Sequence, residues 1–372
     1  MQRKDYLKNV KRIVIKVGTS SLTQDGILSH EKVERIVNDS DALLRRGYQI
    51  VIVSSGAISA GTGSLGRDRR MLTIPKRQAF ASIGQVILIN EYSRCFEAKE
   101  RRVGQILLTE DDIKNRRRFL NAHNTIEALL EMNMVPVVNE NDSVVVQEIK
   151  FGDNDTLSAH VACLIEAELL ILLSDVDGFY WDMKDPAPLE KIEKITPELY
   201  ERAGGEGSIG GTGGMITKLR AAELIMRFGS NMIIANSSVP GILERIMDGE
   251  NIGTLFKGED KHLTGKKRWV SIGKPKGVLT LDAGAVQAIC GGKKSLLASG
   301  ITKVDGVFDM GEVVLLQDEA GIPIGKGIVH YKNYELDFIK GKNTNEIKKL
   351  LGGATFFDEV INRNDLILLN RD

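Results

Sequence analysis

The 372-residue chain is poor in cysteine, in aromatic residues and in net charge, and each shortage excludes something. Its three cysteines, Cys95, Cys163 and Cys290, lie far apart with no C-x-x-C pair. That excludes a disulfide framework and a zinc site legible from spacing, and a reducing cytosol is the expected compartment. Lys and Arg number 50 and Asp and Glu number 50, so the formal net charge is zero. A whole-chain electrostatic grip on nucleic acid or a membrane surface does not follow from such a balance. The longest strongly apolar run, LLILL at 169–173, is about a quarter of the ~20 residues a membrane-spanning helix needs. The opening MQRKDYLKNV has no apolar centre and is not expected to act as a signal peptide. With 42% hydrophobic and 27% charged residues, the chain is neither disordered nor fibrous, and its length suits two domains.

What is present is an alternation. Six short apolar runs read as strands buried on both faces: RIVIKV (12–17), QIVIVS (49–54), GQILLT (104–109), MVPVVN (134–139), LLILLS (169–174) and NMIIAN (231–236). Stretches with helical spacing lie between them, at 29–46, 76–100, 117–132, 155–167 and 215–228. The pattern predicts an α/β fold, a mostly parallel sheet sandwiched by helices. Past about residue 250 the character changes. FKGEDKHLTGKKRW (256–269) reads as a linker, and 275–353 holds short strands with glycine turns, which predicts a small β-barrel or sheet. The expected division is a first domain over 1–258, a linker over 259–274, a second domain over 275–353 and a C-terminal tail over 354–372. Residues 257–349 carry 16 Lys/Arg and 11 Asp/Glu, a local positive excess.

GTGSLG at 61–66 satisfies the dinucleotide-binding pattern G-x-G-x-x-G, but it begins seven positions after the strand end at Ser54. The ribose-binding acid expected ~20 residues further on is missing, so the motif is read as a decoy. No G-K-S or G-K-T occurs, which removes the Walker P-loop. The stronger signals stand where strands end. Lys16 sits in an otherwise apolar strand before V-G-T-S, where an ammonium is costly unless it meets an anion. SSGA (54–57) offers small residues and helix-opening N–H groups for a carboxylate or phosphate. NEND (139–142) and GDND (152–155) supply amides and carboxylates suited to a zwitterion, and SDVDG (174–178) could contact a ribose or base. GSIGGTGGMITK (207–218) joins five glycines to a helix start bearing Lys218, a way to wrap phosphates and neutralise them. Lys218 itself reads as an exposed loop lysine that contributes little to stability. No Ser-His-Asp arrangement is legible. Chemistry that needs only positioning and charge neutralisation fits best, and phosphoryl transfer is that chemistry.

Eight segments in order, KVGTSSLT, VIVSSGAISAG, GQILLT, RFLNAHNT, VPVVNENDSV, EIKFGDNDTLSA, LLSDVDGFY and GTGGMITK, resemble the amino-acid kinase family over about residues 8–258. Residues 275–353 resemble a PUA domain. The resemblance implies the amino-acid kinase fold and ATP-dependent phosphorylation of the γ-carboxylate of L-glutamate, the first step of proline synthesis. It implies that Lys16 and Lys218 flank the transferred phosphoryl group and that Asp153 orients both lysines. Ser55, Asp142 and Asn154 would bind glutamate, with Asn139 helping to position it. Lys16, Ser174, Asp175 and the stretch Thr212, Gly213, Gly214, Met215, Ile216, Thr217 and Lys218 would hold ATP. Mg2+ would be carried mainly by the nucleotide, so no protein ligand is assigned. A homo-oligomer (dimer or tetramer) and feedback inhibition by proline are further implications. One departure is NSSVPG (236–241), where a small-residue glycine turn is expected near the nucleotide. The alternatives are another amino-acid or carbamate kinase, differing in its acceptor pocket at Asp142 and Asn154, or an RNA-binding protein acting through the PUA-like domain. With aromatics at 5%, the last has few stacking platforms.

Overall fold

The computed structural model describes residues 2–66, 73–144, 154–182, 184–204, 214–259, 270, 273–291, 294–343, 346–347 and 359–369. The chain divides into two compact units, one of Met1–Ile113 with Arg117–His262 and one of Lys114–Arg116 with Leu263–Asp372. No described helix is long and apolar enough to cross a membrane.

In the first unit the strands are β1 (Arg12–Val17), β2 (Thr23–Gln24), β3 (Ile27–Leu28), β4 (Gln49–Ser54), β5 (Val103–Leu108), β6 (Val135–Glu140), β7 (Leu169–Ser174), β8 (Lys191–Ile192), β9 (Asn231–Asn236) and β10 (Thr254–Phe256). Its helices are α1 (Arg3–Leu7), α2 (His30–Arg45), α3 (Ala57–Ser64), α4 (Ile74–Glu97), α5 (Glu110–Lys114), α6 (Arg116–Glu131), α7 (Asn154–Leu164), α8 (Pro197–Ala203), α9 (Gly214–Arg227) and α10 (Ile242–Met247). Eight strands form one sheet in the order β5-β6-β4-β1-β7-β9-β10-β8, with β2 and β3 apart as a hairpin. From β5 to β9 every pair is parallel, and only the β9–β10 pair is antiparallel. Parallel strands need helical crossovers, which cover both faces and explain why the central strands are apolar throughout. Four of the six expected strands have the expected bounds, and β5 and β6 are displaced by one residue.

The two-residue period of a strand sorts β1 between two layers. Ile13, Ile15 and Val17 join the core built with Val33, Ile36 and Val37 of α2 and with Leu88, Tyr92 and Phe96 of α4. Val14 and Lys16 therefore face the other layer, where α7 and α9 pack. Because β5, β6, β4, β1, β7 and β9 run in one direction, their C-terminal ends share one edge of the sheet. Ser54, Glu140, Ser174 and Asn236 end four of these strands, and Lys16 is one residue short of the end of β1.

The second unit holds β11 (Gly277–Leu281), β12 (Ile301–Gly306), β13 (Val313–Gln317), β14 (Pro323–Ile328) and β15 (Leu366–Leu368), in the order β12-β11-β13-β14-β15. Helices Ala283–Cys290 and Asn333–Ile339 accompany the sheet. Leu279, Leu281, Val314, Leu316, Ile324 and Leu366 share its core. β15 comes from the stretch expected to be a tail, and pairs with β14 through Leu366↔Gly327 and Leu368↔Gly325. A three-residue strand so far along the chain has too little pattern to be read alone.

The sequence pattern marks a helix opening at SSGA but no helical stretch over 57–64, yet α3 stands there and contains most of the GTGSLG decoy. Gly61 and Gly84 explain it. A Cβ on Gly61 would overlap the backbone carbonyl of Phe80, and one on Gly84 would overlap that of Ala57. The two glycines let α3 and α4 cross backbone to backbone, so their smallness serves helix packing and no dinucleotide is involved. Gly84→Ala is expected to lower stability by about 3 kcal/mol, since interior overpacking meets backbone that cannot yield. Urea unfolding measures it; an unchanged midpoint would contradict the close crossing.

Candidate active site

Lys16 is only 6% exposed, and its position on β1 aims it at the first turn of α7. There Asp155, 1% exposed, meets it: Lys16 Nζ lies 2.5 Å from Asp155 Oδ1. From α9, Lys218 Nζ lies 2.9 Å from Asp155 Oδ2 and donates a second hydrogen bond, 3.1 Å, to the Gly214 carbonyl. Thr217 Oγ1 donates to Asp155 Oδ2 at 3.1 Å. One buried carboxylate thus holds two ammonium groups from opposite ends of the unit. Burial works to raise the Asp155 carboxyl, but the charges of Lys16 and Lys218 and their hydrogen bonds outweigh it and hold the group below the usual carboxylate range. The cluster keeps a net positive charge in a low-dielectric setting, which makes it a site for anions.

The neighbouring residue, Asn154, carries the second half of the site. Its Nδ2 donates to the Ser54 carbonyl (2.9 Å), to Ser55 Oγ (2.8 Å) and to Asn139 Oδ1 (3.1 Å). Asn139, buried at the end of β6, donates in turn to Gln85 Oε1 of α4 at 2.7 Å, and its Oδ1 accepts from the Glu140 N–H. Asn154 Oδ1 is buried and has no hydrogen-bond partner within the protein. An acceptor left over in such a place suits a donor on a ligand, such as an ammonium. Ser55 is fixed from behind by a hydrogen bond from its N–H to the Val17 carbonyl, ahead of Gly56 at φ +99°, which only glycine adopts at ease. The first turn of α7 therefore links the lysine cluster to the amide network through adjacent residues.

The expected residues divide as follows. Lys16, Lys218 and Thr217 meet at Asp155, and Ser55, Asn139 and Asn154 meet one residue away. Asp142 is half-buried in the turn after β6, two residues beyond that strand's end. Ser174 Oγ donates to Asp175 Oδ1 at 3.1 Å at the end of β7, the strand beside β1, and neither hydrogen-bonds the lysine cluster. Gly214, Met215 and Ile216 open α9, with Gly214 exposed and the other two half-buried. Thr212, Gly213 and Asp153 lie outside the described residues. The carboxylate between the lysines is Asp155, two positions beyond the Asp153 to which the orienting role is assigned from sequence. Lys218 is also not an exposed loop residue: it is 7% exposed in α9. Gln85 and Tyr92, whose hydroxyl meets Ser54 Oγ at 3.1 Å, carried no signal because each sits in an ordinary helical stretch. At NSSVPG, Asn236 Nδ2 donates to Asp177 Oδ1 at 2.8 Å, and Gly241 opens α10 with a left-handed backbone.

A strand-end cluster of paired ammonium groups beside an amide network is suited to small anionic substrates. The amino acid kinase family model matches residues 11–236 and the PUA domain model residues 277–351, so the chain belongs to the amino acid kinase family. Its full-length relatives within that family include glutamate 5-kinases. The glutamate 5-kinase of Syntrophotalea carbinolica is 47% identical over 98% of this chain and 99% of its own. That of Dictyoglomus turgidum is 45% identical, again over 98% and 99%. Among solved structures, Giardia carbamate kinase superposes with a TM-score of 0.48 at 17% identity, over 68% of this chain and 100% of that one.

The lowered Asp155 pKa sets a pH dependence. A carboxylate whose folded pKa is depressed stabilises the fold above its unfolded pKa, about 3.9, and loses that contribution as pH falls through the folded value. Asp155→Asn removes it at neutral pH and leaves two buried ammonium groups facing each other, a loss of about 3–5 kcal/mol. Urea unfolding at pH 7 and pH 3 measures both arms: the difference between wild type and variant should be large at pH 7 and shrink on acidification. A difference independent of pH would contradict the paired, ionised state.

Proposed function

We propose that the chain transfers the γ-phosphoryl group of ATP to the γ-carboxylate of L-glutamate, giving L-glutamyl 5-phosphate, the first step of proline biosynthesis. The observation that carries the reading is the Lys16–Asp155–Lys218 cluster at the strand ends. The acceptor carboxylate, with a reference pKa of about 4.3, is ionised near neutral pH and needs no general base. The obstacle is bringing one anion against another. Lys16 and Lys218 offset that repulsion and stabilise the charge spread over the transferred group in the transition state. Asp155 keeps the two ammonium groups in place and needs no movement during the reaction, so the electrostatic work is done before substrate arrives.

Ser55, Asn154 and Asn139 are suited to the glutamate end, with the unpartnered Asn154 Oδ1 open to its α-ammonium and Asp142 close by in sequence. Ser174, Asp175 and the turn into α9 are suited to the nucleotide. Mg2+ supplies neutralisation of the β- and γ-phosphates. The fit is to a nucleotide-borne ion, because both oxygens of the buried carboxylate are already engaged by lysines. The three cysteines are free, which suits a cytoplasmic protein. Assembly into a homo-oligomer and inhibition by proline belong to the same reading. They are checked by light scattering and by assay with added proline.

ATP consumption is expected to depend on glutamate; turnover with carbamate or aspartate but not with glutamate would overturn the assignment. Lys218→Met keeps the aliphatic stem and removes the charge, so kcat should fall by about 10²-fold or more. Asp142→Ala should act mainly on glutamate, raising its KM by about tenfold with a smaller change in kcat. Steady-state kinetics separate the two; equal, small effects of both substitutions would contradict the roles.

A further inference from the structure

On the sheet face opposite the lysine cluster, α2 and α4 bring three chemically different side chains together. His30 opens α2, and Glu91 and Cys95 lie one turn apart on α4. His30 Nδ1 is hydrogen-bonded to Glu91 Oε1, and Cys95 Sγ lies 3.8 Å from that nitrogen and 3.7 Å from that oxygen. The ligand atoms all lie within 4.8 Å of one another. Tetrahedral zinc, with Zn–S near 2.3 Å and Zn–N near 2.0–2.1 Å, sets sulfur and nitrogen ligands about 3.6 Å apart. Both distances from Cys95 already match such an edge. Only the His30–Glu91 edge is too short, and the His30 side chain, 51% exposed, has room to turn outward.

We propose that His30, Glu91 and Cys95 form a zinc-class metal site with one open coordination position. Imidazole, carboxylate and thiolate together favour Zn2+ over the hard Mg2+ that accompanies a nucleotide. Glu34 Oε2 lies 4.0 Å from His30 Nε2, the ring nitrogen not used as a ligand. Bound metal would tie α2 to α4 across the apolar core they share. Arg94 guards the site in the metal-free protein: its Nη2 lies 2.6 Å from His30 Nδ1 and 2.9 Å from Glu91 Oε1. The guanidinium occupies the place of the metal's positive charge and, on a side chain 63% exposed, can swing into solvent.

Co2+ titration of the full chain in excess Mg2+ tests the site, because a cobalt–thiolate bond gives a charge-transfer band that hard-ion binding does not. One equivalent should bind, and Zn2+ should displace it. Cys95→Ser should abolish the band, and His30→Gln, which changes only a half-exposed side chain, should weaken binding by about tenfold or more. Arg94→Ala should tighten binding, and Cys290→Ser, at the exposed cysteine, should leave it unchanged. Absence of the band, or a band that survives His30→Gln at full affinity and disappears in Cys290→Ser, overturns the proposal. Should Cys95→Ser fail to fold, His30→Gln and Arg94→Ala decide it.

Discussion

The carboxylate of Asp155 stands where a single buried charge would be too costly to keep, and two lysines make it tolerable. Each of the three groups needs the others: without the ammonium groups the carboxylate would take up a proton, and without the carboxylate the lysines would repel. The cluster joins the central strand β1 to α7 and α9, so the layer that covers one face of the sheet is registered against the strand ends by ionic contacts as well as by packing. Apolar side chains of similar volume would hold such elements together at least as well. What apolar packing cannot supply is a fixed positive potential at the sheet edge, ready for two anionic reactants.

The parallel sheet makes that placement possible. Six strands with a common direction put their C-terminal ends on one edge, and the polar residues SSGA, NEND and SDVDG each follow a buried apolar run. Helix α7 then starts at that edge with two consecutive functional residues. Asn154 turns to the amide network of Ser55 and Asn139, and Asp155 turns to the lysines. Adjacent residues in a helix's first turn point about 100° apart, which is how one short segment serves both halves of the site.

Much of this was legible from residue order alone. Six strands of the large sheet announce themselves because burial on both faces demands continuous apolar runs, and their bounds fall within one residue of the structure, while the short β8 and β10 carry no such run. The extent of helix α3 was hidden because AISAGTGS has almost no polar face and its glycines match a nucleotide-binding pattern; the reason for Gly61, close approach to the Phe80 carbonyl, lies 19 residues away in α4. The resemblance assigns the orienting role to Asp153, whereas the carboxylate that meets both lysines is Asp155; GDND offers two aspartates, and the spacing does not tell which one the helix turns inward. Lys218 was expected in solvent because a lysine next to glycines resembles a loop, while its partner Asp155 lies 63 residues earlier. The burial of Lys218 is decided by that distant partner, and its local pattern carries no trace of it, unlike Lys16, whose apolar strand marks it.

The most direct test of the electrostatic account is a double-mutant cycle on kcat with Asp155→Asn and Lys218→Met. If Asp155 acts by holding the lysines in place, the two losses overlap, and the double variant is little worse than the more damaged single one. Losses that multiply in full would show the carboxylate and the ammonium acting independently, and would contradict the account.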